Sequence, residues 1–135
     1  VRLGERRGAA AEEVTGARLS FSTGVPHGAE KNWIPFVHEG ELHFVYEPHP
    51  HTVVTCGRAK ECELVALSAE FAPLRRLTQQ GYEVRGSGQA VLVDDAEATP
   101  NLPRRHYLAL IHVVLQGRPG EYAHYAYRFM PEPPF

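Results

Sequence analysis

Four consecutive residues combine an acid, a base, an amide and a large aromatic ring just before a strand-like run: Glu30, Lys31, Asn32 and Trp33. Such groups hydrogen-bond hydroxyls, and an indole face stacks on the apolar face of a sugar ring. The four residues are therefore a candidate glycan-binding set. The alternative is structural, with the charged pair solvated, the amide in a turn and the ring packed between strand repeats.

A second candidate stretch contains Arg85 and Gln89, which flank the two glycines at 86 and 88. Glycine lets a backbone approach a ligand closely, so the guanidinium and the amide could share one ligand. A glycine-rich bend into a strand is the equally open alternative. His49 and His112 are expected at the ends of second strands, where we predict that each contacts a sugar hydroxyl.

The histidines do not predict a metal site. His49 and His51 alternate as strand neighbours would, but Pro50 and the surrounding turn disrupt that geometry, and no Cys or carboxylate has a standard ligand spacing. No serine-nucleophile motif, phosphate loop or dinucleotide fingerprint is present, so no cofactor is predicted. Four further histidines are expected on strand surfaces: His38, His43, His106 and His124.

Composition narrows the class of protein. The chain has 135 residues, 43% of them hydrophobic and 22% charged, as in one ordinary folded domain. Fourteen basic against sixteen acidic side chains leave a net charge of −2, so a nucleic-acid partner is not indicated. No apolar run approaches the roughly 20 residues of a membrane helix, and no signal segment opens the chain. We expect a soluble protein without a membrane partner, its compartment undetermined.

The only two cysteines, Cys56 and Cys62, flank a polar five-residue stretch that resembles a hairpin loop. They could face each other across two strands. Free thiols are the favoured interpretation, because spacing alone does not show that the two side chains share a face.

Four strand-like runs follow one another in the first half of the chain. Two of them lie either side of Glu39 and Gly40, a two-residue hairpin signal. A third spans His51 to Cys56 after a proline-containing turn, and a fourth spans Cys62 to Leu67. The next segment is helix-like from Phe71 to Leu77, but its proline and the following "QQG" predict a long connection and not a core helix.

The strand pattern then restarts with "GSGQAVLVDD", "RRHYLALIHVVL" and "EYAHYAYRF". A repeat of four antiparallel strands in about 50 residues is the unit of a β-propeller blade. We predict an all-β chain holding about two blades: 1–26 a connector or the end of a preceding blade, 27–72 the first blade and 73–135 an incomplete second. Both ends are expected to be cut from something longer. A β-sandwich is the alternative.

Longer motifs carry a family resemblance. The stretch "EKNWIPFVHEGELHFVYEPHPHTVV", followed by "RGSGQAVLV", "HYLALIHVV" and "HYAYRFMPEPPF", resembles a five-bladed propeller group of carbohydrate-active proteins related in fold to glycosidases and mannoside phosphorylases. The resemblance covers residues 27–135. It implies that sugars bind at the mouth of a central channel and that catalytic carboxylates come from different blades.

Catalysis of that kind needs two carboxylates about 5 to 9.5 Å apart. Glu30 is the only carboxylate at an expected channel position, so it is the candidate catalytic acid, and a second acid would come from another blade. Asp94 and Asp95 are expected in a surface turn. Phosphorolysis would place inorganic phosphate against cations such as Lys31 and Arg85.

The sequence thus predicts a fragment of a carbohydrate-active propeller that binds, and in an enzyme cleaves or phosphorolyses, a glycoside. The alternative is a non-catalytic repeat that serves as a protein or glycan interaction scaffold. Such a scaffold would associate with itself through open blade edges.

Overall fold

The computed structural model describes residues 20–21, 32–57, 61–68, 71–94, 103–115 and 120–135. Predictions for Glu30, Lys31 and Asp95 lie outside these residues. Strands dominate the described part, arranged mainly as antiparallel sheets, with one short helix. The prediction of an all-β chain is confirmed.

The first sheet contains five described strands: β1 Ser20–Phe21, β2 Ile34–His38, β3 Glu41–Pro48, β4 His51–Cys56 and β5 Glu61–Leu67. Their order in the sheet is β1-β5-β4-β3-β2. Strands β2 to β5 pair antiparallel in sequence order and make a meander, and β1 adds a parallel pair at the β5 edge. The β2–β3 hairpin is confirmed: Glu39 and Gly40 have φ of 49° and 84°, the positive values that a two-residue type I′ turn needs.

The β4–β5 hairpin is closed by a disulfide between Cys56 and Cys62. The strand register places these residues directly opposite each other, and Gly57 N donates to the Glu61 carbonyl oxygen at 3.2 Å. Directly opposite residues share a face of the sheet and have close Cβ atoms. The favoured free-thiol interpretation is therefore wrong, because the register that decides it is not visible in the spacing.

Among the described residues there is one helix, α1, which spans Ala72–Gln79 and lies in the sequence between the strands of the first sheet and those of the second. Pro73 lies in its first turn, where a missing backbone N–H costs nothing. Leu74 is buried in the core, so the interpretation of this segment as a connection that avoids the core is wrong. None of the helices within the described residues is long and apolar enough to cross a membrane.

The second sheet contains the described strands β6 Tyr82–Gly86, β7 Val91–Asp94, β8 Arg105–Leu115 and β9 Tyr122–Phe129, and is built around the long strand β8. Strand β6 pairs with residues 111–115 of β8 and β7 with residues 105–108, while β9 pairs with residues 107–114. Because each strand has two edges, β6 and β7 follow one another along the edge opposite β9. The start of the predicted strand "GSGQAVLVDD" is wrong, because Gly86 ends β6 and the next strand, β7, begins only at Val91.

The hydrophobic core lies between the two sheets. Phe36 of β2 contacts the rings of Tyr107, Phe129 and Phe135, with centroids 4.8 to 5.4 Å apart. The Tyr107 hydroxyl donates to the Val37 carbonyl oxygen at 2.5 Å, so the sheets also share a hydrogen bond. The other core residues come from both sheets and α1: Ile34, Val45, Val53, Ala66, Leu74, Ala109, Ile111 and Tyr127.

Two of the strand histidines are buried. His43 is 8% exposed and His106 is 2% exposed, so the prediction that they lie on strand surfaces is wrong. Each ring is close enough to donate from Nδ1 to a nearby backbone carbonyl oxygen at 3.1 Å, which satisfies one nitrogen without solvent. The surface prediction holds for His124, which is exposed, and His38 is half-buried.

The two sheets approach each other closely at Gly86, the last residue of β6. A Cβ atom added there would lie 2.3 Å from the Asn32 carbonyl oxygen and 2.5 Å from Ile34 Cγ1. Nearby, Ala90 N donates to the Pro35 carbonyl oxygen at 2.9 Å. The absence of a side chain at residue 86 therefore lets the backbone of β6 approach the residues that lead into β2.

We expect Gly86→Ala to destabilise the protein by about 1 to 3 kcal/mol, because the new methyl group overlaps backbone and a buried side chain. Urea denaturation followed by circular dichroism measures the loss. Gly88→Ala is the matched control, since nothing lies within 4 Å of a Cβ atom there. Equal denaturation midpoints for the two variants would show that the close approach imposes no constraint.

Candidate functional site

The first predicted set is only partly within the described residues. Asn32 is exposed with a φ of 66°, and its carbonyl oxygen lies against Gly86. Trp33 is half-buried, with its ring centroid 5.4 Å from that of Phe44 and 5.3 Å from that of Tyr46 in edge-on contacts. The ring thus packs on its own sheet and keeps part of its surface exposed.

Arg85 and His112 are brought together by the register of the second sheet. They are opposite each other in the β6–β8 ladder, and His112 is in turn opposite His124 of β9. Directly opposite residues point to the same face, so the three side chains form one row across three strands. His112 lies inside β8 and not at its end, which corrects the expected position. Arg85 also forms an ion pair with half-buried Glu83.

Ser87 adds a hydroxyl to this row. Its backbone N donates to the Leu110 carbonyl oxygen at 3.0 Å, and its Oγ hydrogen-bonds His112 Nδ1 at 2.7 Å. Tyr122, whose side chain is 57% exposed, contacts the same imidazole with ring centroids 5.5 Å apart. We name this surface the Arg85 patch; it consists of Glu83, Arg85, Ser87, His112, Tyr122 and His124.

The Arg85 patch offers groups of several chemical types within one sheet face. A guanidinium, a hydroxyl and two imidazoles supply hydrogen-bond donors and acceptors, and the tyrosine supplies a flat ring. Gln89, exposed in the connection between β6 and β7, lies two residues beyond Ser87. The patch therefore suits a ligand with several hydroxyl or anionic groups and one apolar surface.

His49 lies in the turn between β3 and β4 of the first sheet, just after the end of β3. Its Nδ1 is buried and has no hydrogen-bond partner among the described residues. Partial burial raises the pKa of the neighbouring Glu47 carboxyl, and the charge of His49 opposes that rise. His49 thus belongs to a polar group at the turn and not to the Arg85 patch.

His51 and Tyr127 form a buried hydrogen bond between the sheets. The Tyr127 Oη lies 2.5 Å from His51 Nδ1 and 3.3 Å from the Pro48 carbonyl oxygen. Burial lowers the pKa of His51 from 6.5 to about 4 and raises that of Tyr127. Within the described ranges, no group of three or more His, Cys, Asp or Glu side chains is arranged to hold a metal ion.

The site residues that the sequence analysis does not name differ in whether a local sequence signal could have identified them. Glu83 and Ser87 alternate with the predicted Arg85 along the chain, and period-two spacing is the signal that places side chains on one face of a strand. The contact between His51 and Tyr127 joins residues 76 positions apart and has no local signal. The patch could therefore have been extended from the sequence, and the buried pair could not.

Comparison with known proteins gives no relative for this chain. No protein-family model, curated protein or solved structure matches it. The chemistry of the described side chains is therefore what supports a function.

Proposed function

We propose that this chain is about two blades of a carbohydrate-active β-propeller and that it binds a glycan through the Arg85 patch. The observation that carries the proposal is the row of Arg85, His112 and His124, with Ser87 hydrogen-bonded to the central imidazole. Two of these residues, Arg85 and His112, are predicted ligand contacts from the sequence.

The propeller is supported by the way the sheets stack. Strand β2 meets the residue that precedes β7, since Ala90 N donates to the Pro35 carbonyl oxygen. Strands β4 and β9 also meet, through the hydrogen bond between His51 and Tyr127. Counted from β2 and from β7, these contacts join the first and the third strands of each repeat. Successive propeller blades stack equivalent strands in this manner around a channel. A two-sheet sandwich would accommodate the same contacts, but the repeated strand pattern favours blades. In a propeller the Arg85 patch is open to a ligand only where no further blade covers the outer face of the second sheet.

Glycan binding is supported by the mixture of groups in the Arg85 patch. A sugar presents hydroxyls at its edge and C–H groups on its face, so it needs fixed polar partners beside an aromatic ring. Ser87 fixes His112, Glu83 fixes Arg85, and Tyr122 keeps more than half of its surface exposed. Such preorganisation lowers the entropic cost of binding.

Catalysis is a further step in the proposal and rests on Glu30. The carboxylate of Glu83 is engaged by Arg85, which leaves it poorly suited to act as a general acid. Glu30 lies outside the described residues, so its catalytic role rests on the residue pattern that precedes β2. A second acid would come from another blade.

We expect Arg85→Gln and His112→Gln each to weaken glycan binding at least about tenfold, because the first removes the charged donor of the patch and the second removes the imidazole that Ser87 orients. An isotope-labelled chain titrated with a panel of neutral and acidic oligosaccharides would show amide shifts at residues 83–89, 112 and 122. Arg104→Gln is the matched control, since its exposed ion pair with Asp94 lies outside the patch. Equal affinity of all three variants, or shifts spread over the chain, would contradict the site.

Glu30→Gln is expected to abolish turnover of aryl glycosides, with or without inorganic phosphate, while leaving the unfolding midpoint unchanged. The amide keeps the shape of the side chain but has no proton to transfer. Glu63→Gln, an exposed position on β5, is the control. Unaltered turnover in Glu30→Gln would remove its catalytic role, and a parent chain that binds glycans without turnover would be a binding module.

An interaction scaffold is the second candidate, and the outer face of the second sheet favours it. Val91 and Leu110 are 48% and 54% exposed, and with Tyr122 they lie on the face turned away from the first sheet. Strand β9 pairs only with β8 among the described residues, so one of its edges has no described partner. A second copy of the chain could cover this face and edge.

For the scaffold we expect Leu110→Lys to reduce self-association by at least about tenfold, because a buried ammonium would have to lose its hydration. Sedimentation velocity over a range of protein concentrations measures the change. Leu67→Lys, an equally exposed leucine on β5, is the control. A parent chain that stays monomeric throughout the range would contradict this function.

A further inference from the structure

The contact between His51 of β4 and Tyr127 of β9 joins the two sheets. His51 is 7% exposed and Tyr127 is 8% exposed, so their hydrogen bond is shielded from water. The imidazole also packs against Phe129, with ring centroids 5.3 Å apart. His51 Nε2 is buried and has no hydrogen-bond partner among the described residues.

The single hydroxyl proton of Tyr127 decides which tautomer of His51 fits. If Nδ1 of the imidazole donates to Tyr127 Oη, the hydroxyl can donate to the Pro48 carbonyl oxygen. In this tautomer Nε2 carries a lone pair and no proton, so no buried N–H lacks an acceptor. If the hydroxyl instead donates to Nδ1, Nε2 carries a proton with no acceptor. A buried N–H without an acceptor costs more folding free energy than a buried lone pair without a donor, so the arrangement in which His51 Nδ1 donates is favoured.

Protonation of His51 adds a proton at Nε2, where the described residues offer no acceptor. Burial therefore opposes the cation, and it lowers the pKa of His51 from 6.5 to about 4. The ionisable groups on the packed elements do not offset this effect. They are Glu41, His43, Tyr46 and Glu47 on β3, His49 at the turn, Glu61 and Glu63 on β5, Tyr122, His124, Tyr125, Tyr127 and Arg128 on β9, and Glu132 after β9.

Most of these groups are placed away from the imidazole by the register. Arg128 is opposite Leu108, on the other face of β9 from Tyr127. Glu63 is opposite Thr55, near the far end of β4 from His51. The imidazolium would thus be accommodated only by moving the ring toward water, which breaks its bond to Tyr127.

We propose that the His51–Tyr127 contact is a pH-sensitive latch, and that protonation of His51 releases β9 from the β3–β4 turn and from the start of β4. The contact at Gly86 and the hydrogen bond from Ala90 N to Pro35 O persist, because they contain no titratable group. The opening is therefore local, with β9 as the moving element.

The direction of the pH dependence follows from the lower pKa of the closed state. The latch is fully stable above about pH 6.5, where both states are neutral, and loses stability as the pH falls toward 4. Between about pH 7.5 and pH 5 the ratio of open to closed states should rise about 30-fold. Amide hydrogen exchange in β9, compared with β2, measures this change, with exchange rates corrected for intrinsic pH dependence.

His51→Gln is the decisive variant, because glutamine can donate to Tyr127 but does not titrate. Its β9 exchange should vary by less than about threefold over the same pH range. His106→Gln is the matched control, another buried histidine in contact with a carbonyl oxygen, and should keep the parent pH dependence. An acid-induced rise that persists in His51→Gln would overturn the latch.

A direct titration keeps the proposal testable should His51→Gln fail to fold. The ring resonances of His51 in the parent chain are expected to titrate near pH 4 together with those of Tyr127. Titration near 6.5, or titration with the Tyr127 signals unmoved, would overturn the proposal.

Discussion

The close approach at Gly86, between the end of β6 and the residues that lead into β2, is the constraint on which the arrangement of the two sheets depends. With a Cβ atom excluded by the Asn32 carbonyl oxygen and Ile34, only glycine allows the β6 backbone to come this close to Asn32. The sheets are joined here through the main chain, whereas β4 and β9 are joined through the side chains of His51 and Tyr127. The aromatic core fills the space between the sheets, so these two contacts fix the spacing that Phe36 and its neighbours occupy.

Local signals were sufficient for most of the strands and insufficient for the contacts between them. The Glu39–Gly40 turn needs only two positive φ values, which these residue types supply, and its hairpin was predicted correctly. The disulfide depends on the register of β4 against β5, and the burial of Leu74 depends on the sheets beside α1. Pro73 was interpreted as a helix breaker although it lies in the first turn, where proline is compatible.

The same distinction applies to the candidate site. Arg85 and His112 were selected by residue type, and their pairing follows from a register that the sequence does not display. Ser87 was missed although it alternates with Arg85, because its value comes from the hydrogen bond to His112. Trp33 was selected for its exposed face, and its edge-on packing required the neighbouring strand to be in place. The chemical type of a candidate contact can thus be inferred from the local sequence. The contacts that its side chain makes can be inferred only once the pairing of the strands is known.

The bond between Cys56 and Cys62 has a topological consequence for the chain. Any peptide bond between these two residues can be cut without separating the halves of the molecule, because the sulfur bridge holds them together. The β4–β5 ladder would still align the two pieces. A protease that cuts in this interval would therefore leave a two-chain molecule that migrates as one species until it is reduced.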